Sequence, residues 1–180
     1  MEINHKDMVA KLAKPGVEIV QSLNAVEAHL IHMAIGVSGE VAELLAAVDN
    51  DDRPNALEEL GDIEFYFEGM CQGADVIIAH VAPPVGSIQK DPLPDVIIMA
   101  GEVLDLSKKI VIYKDESKWE PLRVEMQRFR NALDQFYAAA EFTHEEALAA
   151  NIKKLGKRYE NFNYSDTAAK TRADKAGEEA

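Results

Sequence analysis

Residues 39–66, GEVAELLAAVDNDDRPNALEELGDIEFY, decide how this chain is expected to fold. The stretch holds two pairs of carboxylates, Glu40 with Glu43 and Glu59 with Asp62, and the members of each pair are three residues apart. That spacing places each pair on one face of a helix. The letters DDRPN between the pairs are typical of a turn. Two helices that fold back across this turn would bring the four carboxylates together, and such a set of oxygen donors suits Mg²⁺ or Mn²⁺.

Composition narrows the class of protein. The chain has 180 residues, enough for one well-packed domain or two very small ones. Its net charge of −13 argues against a broad surface for nucleic acid or membrane. The single cysteine, Cys71, excludes an intrachain disulfide framework. The N-terminus has no apolar signal core and no apolar run looks long enough to span a bilayer, so we expect a soluble cytoplasmic protein.

Apolar residues recur at helical spacing through most of the chain, which predicts an all-α protein. Short β-branched clusters occur only at 76–78 and 96–98. Proline, glycine and capping residues mark the ends of the helices. The predicted helices cover residues 6–14 and 17–22 around a Pro-Gly break, 25–48 after a cap at Ser22 or Asn24, 54–73, 95–113, 119–142, 144–159 after a capping box at Thr143, and a short last helix capped by Ser165. The final letters, AGEEA, are expected to fray.

The two halves of the chain resemble each other. GEVAEL at 39–44 matches GEVLDL at 101–106, and in both halves a turn follows, and then a helix that starts near a proline. Four prolines within residues 79–94 indicate a linker between the halves. We therefore expect a four-helix bundle made of two tandem helix pairs related by a pseudo-twofold axis, with additional N-terminal and C-terminal helices.

This organisation divides one domain, residues 1–180, into four parts. They are a first copy with the metal site at 23–73, the linker at 79–94, a second, degenerate copy at 95–142, and a C-terminal helix and tail at 143–180. The copies differ in charge. Residues 40–75 contain eleven acidic residues and one basic residue, whereas residues 101–160 contain eleven of each sign. A site between the halves would suit an anion that carries a metal, such as a triphosphate.

The pattern GExxEL followed by EELGDxxFY resembles the MazG-like, all-α nucleoside triphosphate pyrophosphohydrolases. AGEVLDLSKKIVIYKD, residues 100–115, is similar to the first metal helix of that family and the basic segment after it. EEALAANIKKLGKRY and YSDTAAKTRADK, residues 145–159 and 164–175, are similar to the C-terminal tail of its phage and bacterial single-domain members. Together the matches cover roughly residues 25–176.

The resemblance implies Mg²⁺-dependent hydrolysis of a (deoxy)nucleoside triphosphate to the monophosphate and pyrophosphate, with Mn²⁺ as a substitute cofactor. The implied metal ligands are Glu40, Glu43, Glu59 and Asp62. The expected catalytic residues are these four together with Glu58. Glu40, Glu43 or Glu58 would orient the attacking water or take its proton. The implied substrate-binding residues are Tyr66, Lys109, Tyr113, Lys114, Asn151, Lys154, Arg158, Arg172 and Lys175.

Two departures from the family pattern shape the prediction. Arg128 of the second copy aligns with the metal-binding Asp62, and the first copy lacks the Lys-Lys segment. We therefore predict one composite site per chain, with metal ligands from the first copy and phosphate-binding cations, Lys109 among them, from the second. The expected partner is a nucleoside triphosphate rather than nucleic acid or membrane, and the chain is expected to be a homodimer or a pseudo-dimeric monomer.

Plainer interpretations exist for the same residues. A carboxylate pair at three-residue spacing also describes a solvated helix face. The glycines beside the pairs, Gly39 and Gly61, also let helices approach each other closely. His29 and His32 lie on a helix face similar to that of Glu40, where they would contact a base or ribose or be ordinary boundary histidines.

Three alternative functions stay open. One is the same hydrolysis restricted to dUTP or dCTP. Another is a ferritin-like di-metal protein, which needs Glu-x-x-His pairs; residues 141–144 provide one, but they straddle a predicted helix break. The third is a degenerate metal-binding helical module that serves interaction without catalysis.

Overall fold

The computed structural model describes residues 3–84 and 86–175, and within those ranges the protein is helical and has no β-strand. The α-helices are α1 (His5–Leu12), α2 (Gly16–Ser22), α3 (Ala25–Asp49), α4 (Arg53–Ala74), α5 (Leu93–Tyr113), α6 (Trp119–Ala139), α7 (His144–Arg158) and α8 (Asp166–Thr171). Single 3₁₀ turns occupy Glu116–Lys118, Glu160–Phe162 and Ala173–Lys175. The all-α prediction is confirmed. The predicted fraying of AGEEA concerns residues outside the described ranges.

Local hydrogen bonds explain where the helices begin. Asn24 rather than Ser22 caps α3, because the Asn24 side chain accepts from the Glu27 amide at 2.9 Å while the Ser22 hydroxyl donates to a carbonyl of its own helix. Asp52 caps α4, with a proline in the first turn. Thr143 caps α7 through the predicted capping box. Each cap satisfies backbone amides that the first helical turn leaves without a partner.

Helix α6 ends at Ala139, three residues before the predicted end at 142. The reason is a turn that contains no glycine and is therefore hard to predict from the sequence. Glu141 takes a left-handed backbone conformation with φ of 55°, and the Phe142 amide donates back to the Tyr137 carbonyl at 3.0 Å. The helix therefore closes early, and the chain reverses into α7.

The four long helices, α3 to α6, share one apolar core. Helix α3 packs against α4 and α5, α5 packs against α6, and α7 covers α4. Helices α4 and α6 meet through the Phe67 and Phe129 rings, whose centroids are 5.3 Å apart. Side chains with no exposure include Leu30, Val37, Leu44, Leu60, Ile63, Met70, Val96, Val103, Leu122, Met126 and Leu133. Burial of these apolar stripes is the main contribution that stabilises the bundle.

Helix α3 corrects one expectation from the sequence. By length and composition it is apolar enough to cross a membrane, although no apolar run in the chain was expected to be. Leu30, Val37 and Leu44 of this helix have no exposed surface, because they pack into the core against its neighbours. Other apolar side chains of α3 remain exposed, among them Val26 at 53% and Ile35 at 58%.

The described residues between α4 and α5, 75–84 and 86–92, are irregular, as the prolines predict, but they are anchored to α6. Three α6 side chains accept hydrogen bonds from the backbone amides of this segment: Gln127 from Ala79 at 3.2 Å, Asp134 from Val81 at 3.0 Å and Gln135 from Gln89 at 3.0 Å. The Gln127 amide also donates to the Ala79 carbonyl at 3.0 Å. One face of α6 therefore fixes the course of the linker.

Candidate metal centre

Glu40, Glu43 and Glu59 form a carboxylate cluster between α3 and α4. Each offers an oxygen that lies within 4.8 Å of the oxygens of the other two. Glu59 is buried, Glu40 is half-buried and Glu43 is exposed. The turn between the two helices folds them back on each other, so the pair on α3 faces α4 as the spacing predicts.

The cluster carries uncompensated negative charge. Burial, and then the charges of Asp62, Glu43 and Glu59, raise the pKa of Glu40 to about 8. Burial and the charges of Glu43 and Asp62 also raise the pKa of Glu59. The closeness of the Glu40 and Glu59 oxygens favours a proton on one of the two carboxyls. A divalent cation would remove the repulsion and replace that proton.

Asp62 lies next to the cluster but is not one of the three mutually close carboxylates. Helix α7 holds both of its oxygens: Oδ1 accepts from Asn151 Nδ2 at 2.7 Å, and Oδ2 is paired with Lys154 Nζ. The charge of Asp62 still acts on Glu40. The predicted fourth ligand is thus near the site, with a lysine in place of a metal ion as its cationic partner.

Gly61 explains how α7 comes so close. A Cβ atom at this position would lie 2.8 Å from the Ala147 carbonyl oxygen and 2.9 Å from Cβ of Asn151. A Cβ atom at Gly39 would meet nothing within 4 Å. The expected close approach of helices therefore holds at Gly61 and not at Gly39.

Tyr66 borders the cluster from one turn further along α4. Its ring packs on α3 at Gly36, where a Cβ atom would lie 2.2 Å from Cδ1 of the ring. Burial and the charges of Glu40 and Asp62 raise the pKa of Tyr66, so its hydroxyl stays a hydrogen-bond donor. The His32 ring stands edge-on to Tyr66, with 6.2 Å between centroids.

His29 is engaged elsewhere, because its Nε2 hydrogen-bonds to the carbonyl of Gly69 at 2.9 Å. This contact is to the α4 backbone and lies on the side away from the α3–α4 turn. Of the two predicted histidines, only His32 therefore has a described contact with a residue that borders the cluster.

A pocket rich in lysine adjoins the cluster between α4 and α7. The cavity has a volume of about 230 Å³, and its charged lining consists of Lys153, Lys154, Lys157, Lys175, Glu58 and Asp174. We call it the lysine pocket. Glu58 accepts from Lys154 at 3.0 Å and from Lys175 at 2.8 Å. Burial opposes ionisation of Glu58, but these two lysines outweigh it and lower its pKa.

The sequence did not single out Lys153 and Lys157 as site residues. Lys153 and Lys157 stand on either side of Lys154 in the sequence and are four residues apart, which puts them on one side of α7. This spacing is the signal in the sequence that could have identified them. Lys154 and Lys175 were predicted, but as positions in the tail rather than as neighbours of Glu58.

Arg158 ties the tail to α7. It donates two hydrogen bonds to Asp174, both 2.6 Å long. These bonds lower the pKa of Asp174 to about 2, although partial burial opposes the shift. Arg172 lies at the exposed end of α8, with φ of 47°. Both arginines were predicted to bind substrate. Of the two, only Arg158 is linked to the lysine pocket, because it anchors Asp174, which lines that pocket.

The predicted basic segment of the second copy lies at the other end of the bundle. Helix α5 runs antiparallel to α3, since Lys114 pairs with Glu27 at 2.5 Å while the Ala100 carbonyl lies 3.5 Å from the Ser38 hydroxyl. Lys109 is then about 16 Å along the helix from the level of the carboxylate cluster.

Other contacts occupy this basic segment. Lys109 pairs with Asp105 at 2.5 Å, and Lys114 also donates to the Ser22 carbonyl at 2.7 Å. Tyr113 is exposed. The structure therefore does not bring Lys109, Tyr113 or Lys114 to the cluster within one chain, and the cations beside the cluster come from α7 and the tail instead.

The second copy has no matching cluster among the described residues. Asp105 is paired with Lys109, and Glu125 accepts from Arg128 at 2.9 Å. The other oxygen of Glu125 is buried without a hydrogen-bond partner. Arg128 supplies a positive charge where the first copy has Asp62, and no carboxylate triad results.

Comparison with known proteins adds no relative: the chain matches no protein-family model, no curated protein and no solved structure. The fit of a metal therefore depends on the donors themselves. Three carboxylate oxygens within mutual reach, with no cationic side chain among them, suit a hard divalent cation such as Mg²⁺.

Proposed function

We propose that the protein hydrolyses a nucleoside triphosphate to the monophosphate and pyrophosphate with Mg²⁺. The observation that carries the proposal is the carboxylate cluster next to a pocket lined by four lysines. Burial and the charges of the neighbouring carboxylates raise the pKa of Glu40 in this cluster to about 8. A site for a divalent cation beside a site for an anion is what a metal–triphosphate complex requires. The resemblance of residues 39–66 to the MazG-like enzymes supports the same reaction.

Glu40, Glu43 and Glu59 would hold the metal. Mg²⁺ bound there would neutralise the negative charge that develops on the phosphate oxygens as the α–β bond breaks. Two lysines lower the pKa of Glu58, which makes its carboxylate a weak base, so its role is to position water rather than to take a proton. The Tyr66 hydroxyl, kept protonated by its surroundings, donates a hydrogen bond to the substrate.

Lys154 couples the two parts of the site. It lies between Asp62 and Glu58, and only 9% of its side chain is exposed. A phosphate in the lysine pocket would compete with Asp62 for this ammonium group. Asp62 would then be released toward the cluster as the fourth carboxylate. Substrate binding and completion of the metal site are thereby linked through one side chain.

The ferritin-like alternative finds no support at residues 141–144. Glu141 lies in the turn after α6, with φ of 55°, whereas His144 opens α7 and contacts Glu64. The non-catalytic alternative has one observation in its favour, the pairing of Asp62 with Lys154, which gives Asp62 a structural partner. Activity separates that alternative from the hydrolase.

The test is release of pyrophosphate from a panel of canonical and modified (d)NTPs with Mg²⁺. We expect pyrophosphate rather than orthophosphate from at least one substrate, and the panel also reveals any restriction to dUTP or dCTP. Glu59→Gln and Asp62→Asn should each abolish turnover at unchanged helix content by circular dichroism. The control is Glu102→Gln, which alters the exposed residue of the second copy that corresponds to Glu40. Absence of turnover across the whole panel would remove the enzymatic proposal.

A further inference from the structure

A second set of metal-ligating side chains lies on a different face of α4. Glu64 of α4, His80 of the linker and His144 at the start of α7 each place a ligand atom within 4.8 Å of the other two. The two imidazole centroids are 3.9 Å apart, and His144 Nε2 lies 3.2 Å from Glu64 Oε2. These residues come from three separate parts of the chain, so no local sequence motif indicates that they lie together.

The hydrogen bonds of His80 single out Nε2 as the ring nitrogen for a metal, which would take the place of its contact with Arg130. Its Nδ1 lies 3.0 Å from Asp134 Oδ1 and donates to it, because a carboxylate oxygen can only accept. Its Nε2 lies 3.4 Å from Arg130 Nη1, and since a guanidinium can only donate, this nitrogen carries the lone pair. Histidines that bind metals usually donate their other N–H to a carboxylate in this way. Asp134 therefore sets both the orientation and the tautomer of His80.

Glu64 is oriented in the same manner. Its Oε1 accepts from Arg130 Nη2 at 2.8 Å and from the Tyr137 hydroxyl at 2.9 Å. Its Oε2 accepts from Arg130 Nη1 at 2.7 Å and faces His144. One oxygen is thus fully used by supporting donors, and the other points toward the two imidazoles.

The charges around this group favour a cation. Glu64, Asp134 and Arg130 are all buried, with side-chain exposures of 5%, 8% and 2%. Two carboxylates and one guanidinium leave one formal negative charge. Neutral imidazoles do not change that sum, so a cation near Glu64 and the histidines offsets buried negative charge.

The group also borders open space. A cavity of about 620 Å³ adjoins Glu64, His80 and His144, and its apolar wall includes Phe67, Ile78 and other side chains of α4 and the linker. Three protein ligands beside a cavity leave a coordination position for water or another small ligand.

We propose that Glu64, His80 and His144 bind a borderline transition-metal ion, best matched by Zn²⁺, with one coordination position open to this cavity. Two imidazole nitrogens and one carboxylate oxygen are a ligand set that Zn²⁺ favours, whereas the carboxylate cluster offers only oxygen and suits Mg²⁺. The proposal does not depend on hydrolase activity, because the two sites share no ligand.

Calorimetric titration of the full chain with Zn²⁺, in saturating Mg²⁺ to fill the oxygen-only cluster, tests the proposal. We expect one tightly bound Zn²⁺ per chain. His80→Ala and His144→Ala should each weaken binding at least 100-fold, and Asp134→Asn, which removes the support of His80, should weaken it 10- to 100-fold. His29→Ala and Glu59→Gln are the controls and should leave Zn²⁺ binding within twofold of the native protein.

A second measurement uses the native protein alone, since Asp134 also holds the linker and its variant can unfold. Zn²⁺ should shift the imidazole NMR resonances of His80 and His144 and leave those of His29 unchanged. Binding that persists in the His80→Ala/His144→Ala double variant, loss of binding in Glu59→Gln, or unshifted imidazole resonances in the native protein would overturn the proposal.

Discussion

Arg130 shows how a single residue organises the buried polar part of this protein. The fully buried guanidinium donates two hydrogen bonds to Glu64 and lies 3.2 Å from Asp134. It also stands 5.6 Å from the centroid of the Phe67 ring. A buried ion pair is weak support for overall stability, but removal of one partner leaves a charge in the core with nothing to offset it.

We expect Arg130→Met to lower the free energy of unfolding by about 3–5 kcal/mol, because two buried carboxylates lose their shared cation. Arg123→Met is the control: Arg123 forms a 3.4 Å pair with Glu120, whose side chain is 77% exposed. Such a surface pair contributes about 0–1 kcal/mol. Urea unfolding of both variants at neutral pH measures the difference. Equal losses in the two variants would contradict the central role of Arg130.

Glu40 leads to a prediction about pH. Its pKa is about 8 in the folded protein, against 4.5 as the ordinary value, so the folded state binds an extra proton between these limits. The stability that this carboxyl contributes is therefore fully present below pH 4.5 and is lost as the pH rises through about 8. Solvent exposure of the side chain reduces the size of the effect.

Glu40→Gln should remove this loss, because the amide carries no charge at any pH and so is not repelled by Asp62, Glu43 and Glu59. With EDTA present, we expect the variant to melt roughly 2–4 °C above the native protein at pH 8, the shift that about 1 kcal/mol produces in a chain of this size. The two should melt alike at pH 4.5. Glu102→Gln, a change on an exposed face of α5, should not alter the pH profile. A destabilised Glu40→Gln at pH 8 would show that the cluster is not under charge repulsion.

At the scale of helices, the glycines beside the two carboxylate pairs have opposite roles. Gly61 faces α7 at van der Waals distance, whereas Gly39 faces open space. Both lie inside helices, where replacement of glycine by alanine favours the helix by about 1 kcal/mol when nothing is in the way. The space around each glycine therefore decides whether its replacement by alanine raises or lowers the free energy of unfolding.

We expect Gly61→Ala to destabilise the protein by roughly 1–3 kcal/mol, the usual cost of overpacking, and to push α7 away from Asp62. Gly39→Ala should instead be neutral or stabilise by up to about 1 kcal/mol. Thermal melts of both variants measure this contrast. If Gly61→Ala is as stable as Gly39→Ala, α7 does not pack on α4 as described.

The ends of most helices could be predicted from the sequence because caps are local. Asn24, Asp52 and Thr143 bond to amides three residues away, a distance at which sequence and structure coincide. The end of α6 could not, because Glu141 adopts a left-handed conformation without glycine. The convergence of Glu40, Glu43 and Glu59 was predictable for the same local reason, since a short turn joins two helices with matching pairs.

At the scale of the whole molecule, the cations beside the carboxylate cluster come from α7 and the tail, not from the second copy as the sequence-based prediction had it. That prediction took Lys109 from the second copy, but the antiparallel packing of α3 and α5 carries this residue to the far end of the bundle. The offset between two packed helices depends on their side-chain contacts, which the sequence of either helix alone does not specify. The packing of α7 on Gly61 likewise depends on contacts between residues that are far apart in the sequence.

A site completed by α7 predicts that Lys154→Met raises KM for the triphosphate about 10- to 100-fold, the effect of losing one charge-assisted hydrogen bond. Lys109→Met should change KM less than twofold, because its ammonium pairs with Asp105 at the opposite end. Steady-state release of pyrophosphate measures both variants. A large effect of Lys109→Met with none from Lys154→Met would mean that a second chain supplies the phosphate-binding cations.

The anchoring of the linker by α6 has a consequence for hydrogen exchange. Irregular segments usually exchange their amide protons fast, yet the amides of Ala79, Val81 and Gln89 are donated to side chains of one helix. These three protons can exchange only when the linker detaches from α6 or when α6 itself opens. Slow deuterium uptake at these three sites, between faster neighbours, would therefore report how often the linker detaches from α6 or α6 itself opens.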